Sequence, residues 1–305
     1  MTDFSDLVDR ACPLCGAPPP PFPLYRSPIP ALSVSHDERA LYWRGFRSRT
    51  CFFDYYKCET CEMVYCPVYF SHDALKKLYA SMPDNTAGAS EDVLSETHHR
   101  YISFLNDHVP MKGTYLELGP DIGIATTAAI ELGDLEQLLL VEPNRSVHDR
   151  LRASAGELRI ELVESLSDLD PEAKAGSAAL VHVLDHLTEP RISLNEIRDH
   201  LSPGAGILVV VHNHSSLLRK VLGRRWPPFS LQHPQLFSKD TLRRMLELEG
   251  FMVTAEADTR NSFPLRYLAR TGSNLVGMSI PGIDHLPDWS VRLRLGNIMA
   301  VGVAA

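Results

Sequence analysis

The sequence predicts an α/β fold, in which a small cysteine-rich region precedes a doubly wound, mostly parallel sheet of seven strands. The first observation behind this prediction is the stretch 114–123, where an apolar run ends in a loop with Gly119 and Gly123 and an Ala/Thr-rich helical segment follows. The second is the regular alternation of apolar runs and amphipathic segments after Thr114. Apolar strands that alternate with helices are typical of a parallel sheet buried on both faces.

Composition places the chain among ordinary globular proteins. It has 305 residues, of which 44% are hydrophobic and 22% are charged, and this length suits one large domain and one small one. The net charge of −8 argues against broad binding to nucleic acid or anionic membranes. No apolar run approaches the roughly 20 residues that span a bilayer, and residues 1–10 lack a secretory pattern. We therefore expect a cytoplasmic protein without membrane association.

The first region, residues 1–90 including a linker, is predicted to bind zinc. All six cysteines lie within residues 12–66, and four of them form two Cys-x-x-Cys pairs on either side of a proline-rich stretch. Clustered cysteines in a chain that is not exported favour metal binding over disulfides. The predicted ligands of a structural Zn²⁺ ion are Cys12, Cys15, Cys58 and Cys61. The alternatives are four free thiols or redox use of one pair, and Cys51 and Cys66 remain outside the set.

The second region, residues 91–305, carries the predicted sheet. Before the sheet, one helix is expected at 71–82, at the end of the first region, and another at 94–108. A polar linker at 84–92 separates the two. The predicted strands are 115–118, 138–141, 158–163, 178–184, 207–212, 252–257 and 297–303. The predicted helices between them are 123–132, 145–154, 190–200 and 239–248.

Two longer connections interrupt this alternation. The insert 212–238 delays the next helix and is the predicted substrate region. Its histidines and basic residues are His212, His214, Arg219, Lys220, Arg224, Arg225 and His233, together with Trp226. These cations either bind a phosphorylated or carboxylated substrate or form a solvated helix face. The segment 258–294 is expected to be a lid or a dimer surface, which leaves a homo-oligomer open.

An acidic residue follows the second strand. In the run LLLVEPN, Glu142 follows the apolar residues of the second strand, 19 residues after Gly123. A carboxylate at this place can accept hydrogen bonds from the ribose hydroxyls of an adenosine cofactor. A solvated loop acid is the alternative. The phosphate-binding G-x-G-x-x-G turn of dehydrogenases does not occur here.

At this point the sequence resembles the class I S-adenosylmethionine-dependent methyltransferases. ELGPDIG resembles their first motif, acid-x-Gly-x-Gly-x-Gly, through Glu117, Gly119 and Gly123, and LLLVEPN resembles the second. VHVLDHLTEP and LSPGAGILVVV resemble the later strand-four to strand-five stretch. The resemblance implies a Rossmann-like sheet, S-adenosylmethionine as cofactor and methyl transfer. Together with its cysteine region, the chain is similar to bacterial methyltransferases that act on sugars and natural products.

The resemblance also implies which residues hold the cofactor. Asp121 replaces the middle glycine of the first motif, and its carboxylate either pairs with the cofactor's ammonium group or crowds that group. Residues after strand three match the place where the family caps the adenine ring, and His182 would lie against the cofactor. The implied cofactor-binding residues are Glu117, Gly119, Asp121, Gly123, Glu142, Ser165, Leu166 and His182.

Three residues are candidates for catalysis. Asp185 and His186 align with a Glu-His pair common in the family, although a helix-start acid and a packed histidine would look the same. His233 is the candidate general base, because it matches the histidine of the Tyr-x-Glu-His motif in sugar C-methyltransferases. Ser230 and Gln232 replace the Tyr and Glu of that motif, which argues against carrying over the C-methyl mechanism. A histidine that only fixes the loop is the alternative.

The expected function is methyl transfer to O, N or C of a small molecule, which is a sugar or a natural-product intermediate. A zinc-containing RNA methyltransferase is the rival enzyme, although the acidic charge opposes it. A non-catalytic scaffold that binds the cofactor is the rival outside enzymes.

Overall fold

The computed structural model describes residues 6–44, 50–80, 91–266, 269, 290–294 and 296–305. The helices in these ranges are α1 His36–Trp43, α2 His72–Ala80, α3 Glu91–His108, α4 Ile124–Leu132, α5 His148–Ser154, α6 Pro190–Asp199, α7 Leu217–Leu222 and α8 Lys239–Leu248. The first strands are β1 Leu7–Asp9, β2 Ile29–Pro30, β3 Cys51–Phe52, β4 Tyr56–Lys57, β5 Val64–Tyr65 and β6 Val68–Phe70. The later strands are β7 Lys112–Leu118, β8 Asp134–Val141, β9 Arg159–Val163, β10 Ala175–Val181, β11 Leu201–His212, β12 Gln235–Leu236, β13 Phe251–Asp258, β14 Asn261–Pro264, β15 Ser290–Leu293 and β16 Asn297–Ala304.

Seven of these strands form one sheet in the order β13-β16-β11-β10-β7-β8-β9. The strands from β7 to β11 are parallel to one another, whereas β16 runs antiparallel to both β11 and β13. The order reverses direction at β7 and β10, and ligands of doubly wound sheets bind at the carboxyl ends of strands beside such a switch point. The predicted fold class is confirmed.

The central strands are apolar on both sides because each face of the sheet supports its own core. Leu116 and Leu139 belong to one buried cluster, whereas Tyr115, Leu138 and Leu140 belong to another. Successive side chains of a strand point to opposite faces, so the continuous apolar runs fill both clusters.

Several predicted boundaries differ from the structure, and two of these lie near the carboxyl ends of strands. Strand four ends at Val181 rather than at residue 184, because His182 has a left-handed backbone (φ 57°) that turns the chain out of the sheet. The helix predicted from residue 145 begins at His148, after the 3₁₀ turn Arg145–Val147.

The N-terminal region packs against the insert through a third, largely aromatic core. Trp226, Phe229 and Leu231 of the insert belong to the same buried cluster as Phe52 and Tyr69. Strand β12 of the insert also pairs with β5, which joins the two parts in one three-stranded sheet. The region that carries the cysteines is therefore attached to the predicted substrate region.

Some predicted segments lie outside the described residues. These are residues 84–90 of the predicted linker and most of the lid-like segment 258–294. The last two positions of the predicted linker 84–92 instead begin helix α3, so the linker prediction is wrong there. The described part of 258–294 includes β14 and β15, which form an antiparallel pair. Among the residues that the structure describes, the helices are too short or too polar to cross a lipid bilayer.

Candidate functional site

The glycine loop after β7 needs two left-handed residues that a side chain would disturb. Gly119 has φ 68°, and a Cβ there would lie 2.6 Å from Val183 Cγ2. Gly123 has φ 84° and precedes α4 as its N-cap. The loop therefore brings bare backbone and the free N–H groups of α4 to the carboxyl edge of the sheet, which suits the approach of a ligand.

Glu142 lies at the same edge, directly after β8, and is 6% exposed. Its carboxylate accepts the N–H of Asp121 at 3.0 Å on one oxygen and the N–H of Asn144 at 2.8 Å on the other. Burial raises the pKa of Glu142, although these backbone hydrogen bonds act in the opposite direction. Each oxygen keeps further acceptor capacity, so the site fits the two ribose hydroxyls of S-adenosylmethionine.

Asp121 has a left-handed backbone with φ 51°. Glycine adopts this conformation without cost, and aspartate tolerates it better than most residues do. The aspartate of this chain therefore holds a conformation that glycine would adopt more readily. The carboxylate is the feature that distinguishes them.

Two of the predicted cofactor-binding residues, Glu117 and Leu166, have buried side chains. Glu117 is 1% exposed, and it accepts a hydrogen bond from Thr126 Oγ1 of α4 at 2.7 Å. Burial raises the pKa of Glu117 to about 7. Leu166 is buried at the start of a 3₁₀ turn after β9, and the hydroxyl of Ser165 beside it contacts Ser167 Oγ at 3.0 Å.

Four histidines and one aspartate converge where β10 and β11 end, and we call this group the histidine cluster. Its members are His182, Asp185, His186, His212 and His233. The His212 ring centroid lies 4.7 Å from that of His182 and 4.8 Å from that of His233. The His186 and His233 centroids are 4.5 Å apart. The three predicted catalytic residues are thus neighbours, although they come from two distant parts of the chain.

The closest contact in the cluster joins Asp185 and His212. Asp185 Oδ2 accepts the ring Nδ1–H of His212 at 2.6 Å and its backbone N–H at 3.1 Å. The Asp185 side chain is 0% exposed and the His212 side chain is 18% exposed. Burial would raise the pKa of the Asp185 carboxyl, but its pairing with His212 holds that pKa below its usual range. Both groups that contact Oδ2 are nitrogens, one of them a backbone N–H donor, which fits an ionised carboxylate that only accepts.

Sequence reasoning named His212 only among the polar residues of the insert. The spacing of the motifs contained a further clue: an acid follows strand four and a histidine ends strand five. Neighbouring parallel strands end at the same edge of a sheet, so these two side chains were placed to meet.

The other histidines of the cluster are neutral. Burial lowers the pKa of His182 to about 3, and burial also lowers the pKa values of His186 and His233. His186 Nδ1 contacts the hydroxyl of Tyr79 at 3.2 Å, and His233 Nδ1 contacts Ser230 Oγ at 2.9 Å. Within the described residues, the buried Nε2 of His233 has no hydrogen-bond partner.

The insert is held in place from both sides. Phe237 N–H donates to His212 O at 3.3 Å, which closes the insert as a loop at the end of β11. Tyr55 of the N-terminal region donates its hydroxyl to His233 O at 2.7 Å. The basic residues of the insert differ in their surroundings. Lys220, Arg224 and Arg225 are exposed to solvent. Arg219 instead donates a hydrogen bond to His214 O and lies over the ring of Tyr25.

The two Cys-x-x-Cys turns have the same backbone hydrogen bonds. In each turn, the first cysteine's N–H donates to a carbonyl beyond the second cysteine, and the residue after the second cysteine donates back to the first. These bonds are Cys12 N to Ala17 O at 2.9 Å, Gly16 N to Cys12 O at 2.8 Å, Cys58 N to Met63 O at 2.9 Å and Glu62 N to Cys58 O at 3.0 Å. Gly16 and Glu62 both have a positive φ, of 72° and 65°.

The four cysteine sulfurs meet between these turns. Cys12 Sγ lies 3.5 Å from Cys61 Sγ, Cys15 Sγ lies 3.5 Å from Cys58 Sγ, and all four sulfurs are within 4.8 Å of one another. Four thiolates around a zinc ion at about 2.3 Å would lie a little under 4 Å apart. The donor set therefore fits a tetrahedral zinc ion.

Comparison with known proteins agrees with this geometry. A family model described as "Methyltransferase domain" matches residues 93–256, more than half of the chain. Among curated proteins no match was found.

Three solved structures illustrate the likeness in fold. A chain from the complex between the Haloferax volcanii Trm112 methyltransferase activator and the putative methyltransferase is 17% identical, with a TM-score of 0.50 over 70% of this chain and 93% of that one. A putative methyltransferase from Bacillus halodurans is 13% identical, with a TM-score of 0.47 over 68% and 98%. The N-methyltransferase NodS from Bradyrhizobium japonicum, in complex with S-adenosyl-L-homocysteine, is 10% identical, with a TM-score of 0.47 over 75% and 96%.

The strand order, the glycine loop followed by Glu142 and the family match lead to one assignment. The chain belongs to the methyltransferase domain family and is an S-adenosylmethionine-dependent methyltransferase.

Proposed function

We propose that this protein methylates a small molecule, a sugar or natural-product intermediate, at O, N or C. The observation that carries the proposal is the histidine cluster, which gathers proton-accepting groups at the carboxyl ends of β10 and β11. The cluster is covered by Tyr55 and Tyr79 of the N-terminal region and by the insert. Such an enclosed position favours a small acceptor over a long polymer.

The cofactor supplies an electrophilic methyl group when it is bound. Glu142 would hold its ribose, and the loop Gly119–Gly123 would accommodate its methionine end. The chain's own contribution is to orient the acceptor and to take its proton. His186 and His233 line the acceptor side, and the exposed Lys220, Arg224 and Arg225 supply positive charge for a phosphate or carboxylate on the acceptor.

We also propose that residues 1–90 form a zinc-binding domain with its linker, and that residues 91–305 form the methyltransferase domain. The matching turns of the two Cys-x-x-Cys pairs and the convergence of their sulfurs support a structural zinc ion held by Cys12, Cys15, Cys58 and Cys61. Four protein ligands leave no open position on the metal. This zinc ion would therefore fix the wall of the acceptor site and take no part in methyl transfer.

Calorimetric titration with S-adenosylmethionine and S-adenosylhomocysteine tests the cofactor site. We expect micromolar binding of both, and a loss of at least about tenfold in affinity for Glu142→Ala, because the ribose hydroxyls lose a buried charged acceptor. Glu136→Ala is the matched control, since Glu136 lies on the same strand β8 with a side chain that is 77% exposed. Equal affinities for all three proteins would remove Glu142 from the site.

A panel of acceptors then tests the substrate class. Purified, zinc-loaded protein is incubated with labelled S-adenosylmethionine and with sugars, nucleotide sugars, phenols, amines and total RNA. Methyl transfer to a small molecule is the expected result. Label that appears only in RNA, together with a gel shift, would contradict the proposed substrate class.

A further inference from the structure

We propose that His212, held by Asp185, is the general base that takes the acceptor's proton. This inference deepens the proposed function and rests on it. It differs from the sequence-based assignment of the base to His233, and it gives Asp185 the task of positioning His212.

The hydrogen bonds of Asp185 fix the position of the His212 proton. An ionised carboxylate only accepts, so the 2.6 Å contact between Asp185 Oδ2 and His212 Nδ1 requires the proton to be on Nδ1. A neutral imidazole with its proton on Nδ1 has its lone pair on Nε2. The second bond to Oδ2, from the backbone N–H of His212 at 3.1 Å, keeps the carboxylate aligned with the ring. Asp185 thus selects the tautomer and the orientation of the base.

His212 is also more accessible than the alternative base. Its side chain is 18% exposed, whereas His233 as a whole is 6% exposed. Its ring lies at the centre of the cluster, with His182 at 4.7 Å and His233 at 4.8 Å. An acceptor that reaches the cluster can therefore meet the His212 ring more readily than the buried ring of His233.

The charge balance of the proton transfer fits the surroundings. The proton leaves the acceptor's O–H or N–H, the bonding electron pair stays on the acceptor as its nucleophilic lone pair, and the proton ends on His212 Nε2. The resulting imidazolium faces the buried carboxylate of Asp185, which stabilises it. The other groups that face it are His182 from the end of β10, His186 from the following turn, and His233 and Trp226 from the insert. All three histidines are neutral, so none of them repels the new charge.

Nuclear magnetic resonance tests the tautomer without an acceptor. Zinc-loaded protein labelled with ¹⁵N-histidine is saturated with S-adenosylhomocysteine, and the His212 ring is assigned by its disappearance in His212→Gln. We expect long-range ¹H–¹⁵N spectra to place the proton on Nδ1 alone, and to show a mixture of tautomers in Asp185→Asn. A proton on Nε2 in the unaltered protein, or a pattern unchanged by Asp185→Asn, would overturn the proposal.

Kinetics with the acceptor found in the panel give the second arm. His212→Gln is expected to lower kcat by at least about 100-fold with an unchanged affinity for the cofactor. Imidazole in the buffer should restore part of the rate to His212→Ala. A loss of less than threefold in His212→Gln would assign the base elsewhere. Failure of the proposed function would instead be seen as absent cofactor binding in the unaltered protein.

Metal analysis tests whether the same residues bind a metal ion instead. His182, Asp185 and His212 offer ligand atoms within 4.8 Å of one another. A coordinated imidazole nitrogen has no lone pair for a proton. A second metal equivalent per chain that is lost in Asp185→Asn would therefore overturn the base assignment, whereas a single equivalent retained by that variant supports it.

Discussion

At the scale of single residues, we propose that Asp121 faces the amino-acid end of the cofactor. Its left-handed backbone conformation is one that glycine adopts without cost, and its N–H donates to Glu142 at 3.0 Å. What this chain adds is one negative charge beside the place where a positively charged ammonium group would lie.

We expect this charge to stabilise the bound cofactor. Asp121→Asn keeps the tolerance for a positive φ and removes only the charge, so we expect S-adenosylmethionine to bind about tenfold more weakly, as the loss of one charge-assisted hydrogen bond would give. The control ligand is 5′-methylthioadenosine, which lacks the ammonium group and should bind both proteins equally. Tighter binding of S-adenosylmethionine by Asp121→Gly, with no loss in Asp121→Asn, would show that the side chain crowds the cofactor instead.

At the scale of elements, the hydrogen bond between Glu117 of β7 and Thr126 of α4 ties the strand to the helix that follows the loop. Both side chains are buried. Burial raises the pKa of Glu117 to about 7 although the Thr126 hydrogen bond lowers it, so the folded protein holds this proton more tightly than the unfolded chain does. The stability that protonated Glu117 contributes is therefore present at acidic pH and is lost as the pH rises from about 4.5 to about 7.

Glu117→Gln should remove this pH dependence. Between pH 5 and pH 8, the free energy of unfolding of the variant is expected to rise relative to that of the unaltered protein by up to about 3 kcal/mol. Urea unfolding at several pH values, without cofactor, measures the difference. Thr126→Val removes a hydrogen bond that lowers the pKa of Glu117, so the loss of stability should extend to higher pH in this variant. A difference between Glu117→Gln and the unaltered protein that stays constant with pH would contradict the raised pKa.

At the scale of the whole molecule, the N-terminal region and the histidine cluster are parts of one connected structure. The aromatic core of the N-terminal region includes Trp226 and Phe229 of the insert, and Tyr55 donates a hydrogen bond to His233 O. A metal ion that stabilises the N-terminal region would therefore also hold the insert in place.

Removing one cysteine of the tetrad tests this coupling. Cys58→Ser should lower the zinc content from one ion per chain to less than half, and hydrogen exchange should accelerate in 226–238 as well as around the cysteines. Cys51→Ser is the matched control, because Cys51 is buried but lies outside the tetrad. Full zinc content in Cys58→Ser, or unchanged exchange in 226–238, would contradict the coupling.

Local patterns in the sequence determined the elements and the candidate cofactor site. The alternation of apolar strands and amphipathic helices fixed the sheet, because each periodicity reflects which side chains are buried. Gly119, Gly123 and Glu142 were identified for the same kind of reason, since a left-handed turn and a buried acceptor each require particular residue types. The two Cys-x-x-Cys pairs likewise carry their geometry within a few residues.

Only the tertiary structure decided what depends on contacts between distant residues. The early end of β10 at Val181 places Asp185 against His212, and the return of the insert places His233 beside both. The attachment of the N-terminal region to the insert follows from burial of aromatic side chains contributed by both. Residues far apart in the chain meet because the folded sheet brings the ends of its strands to one edge, and a single sequence does not display such distances.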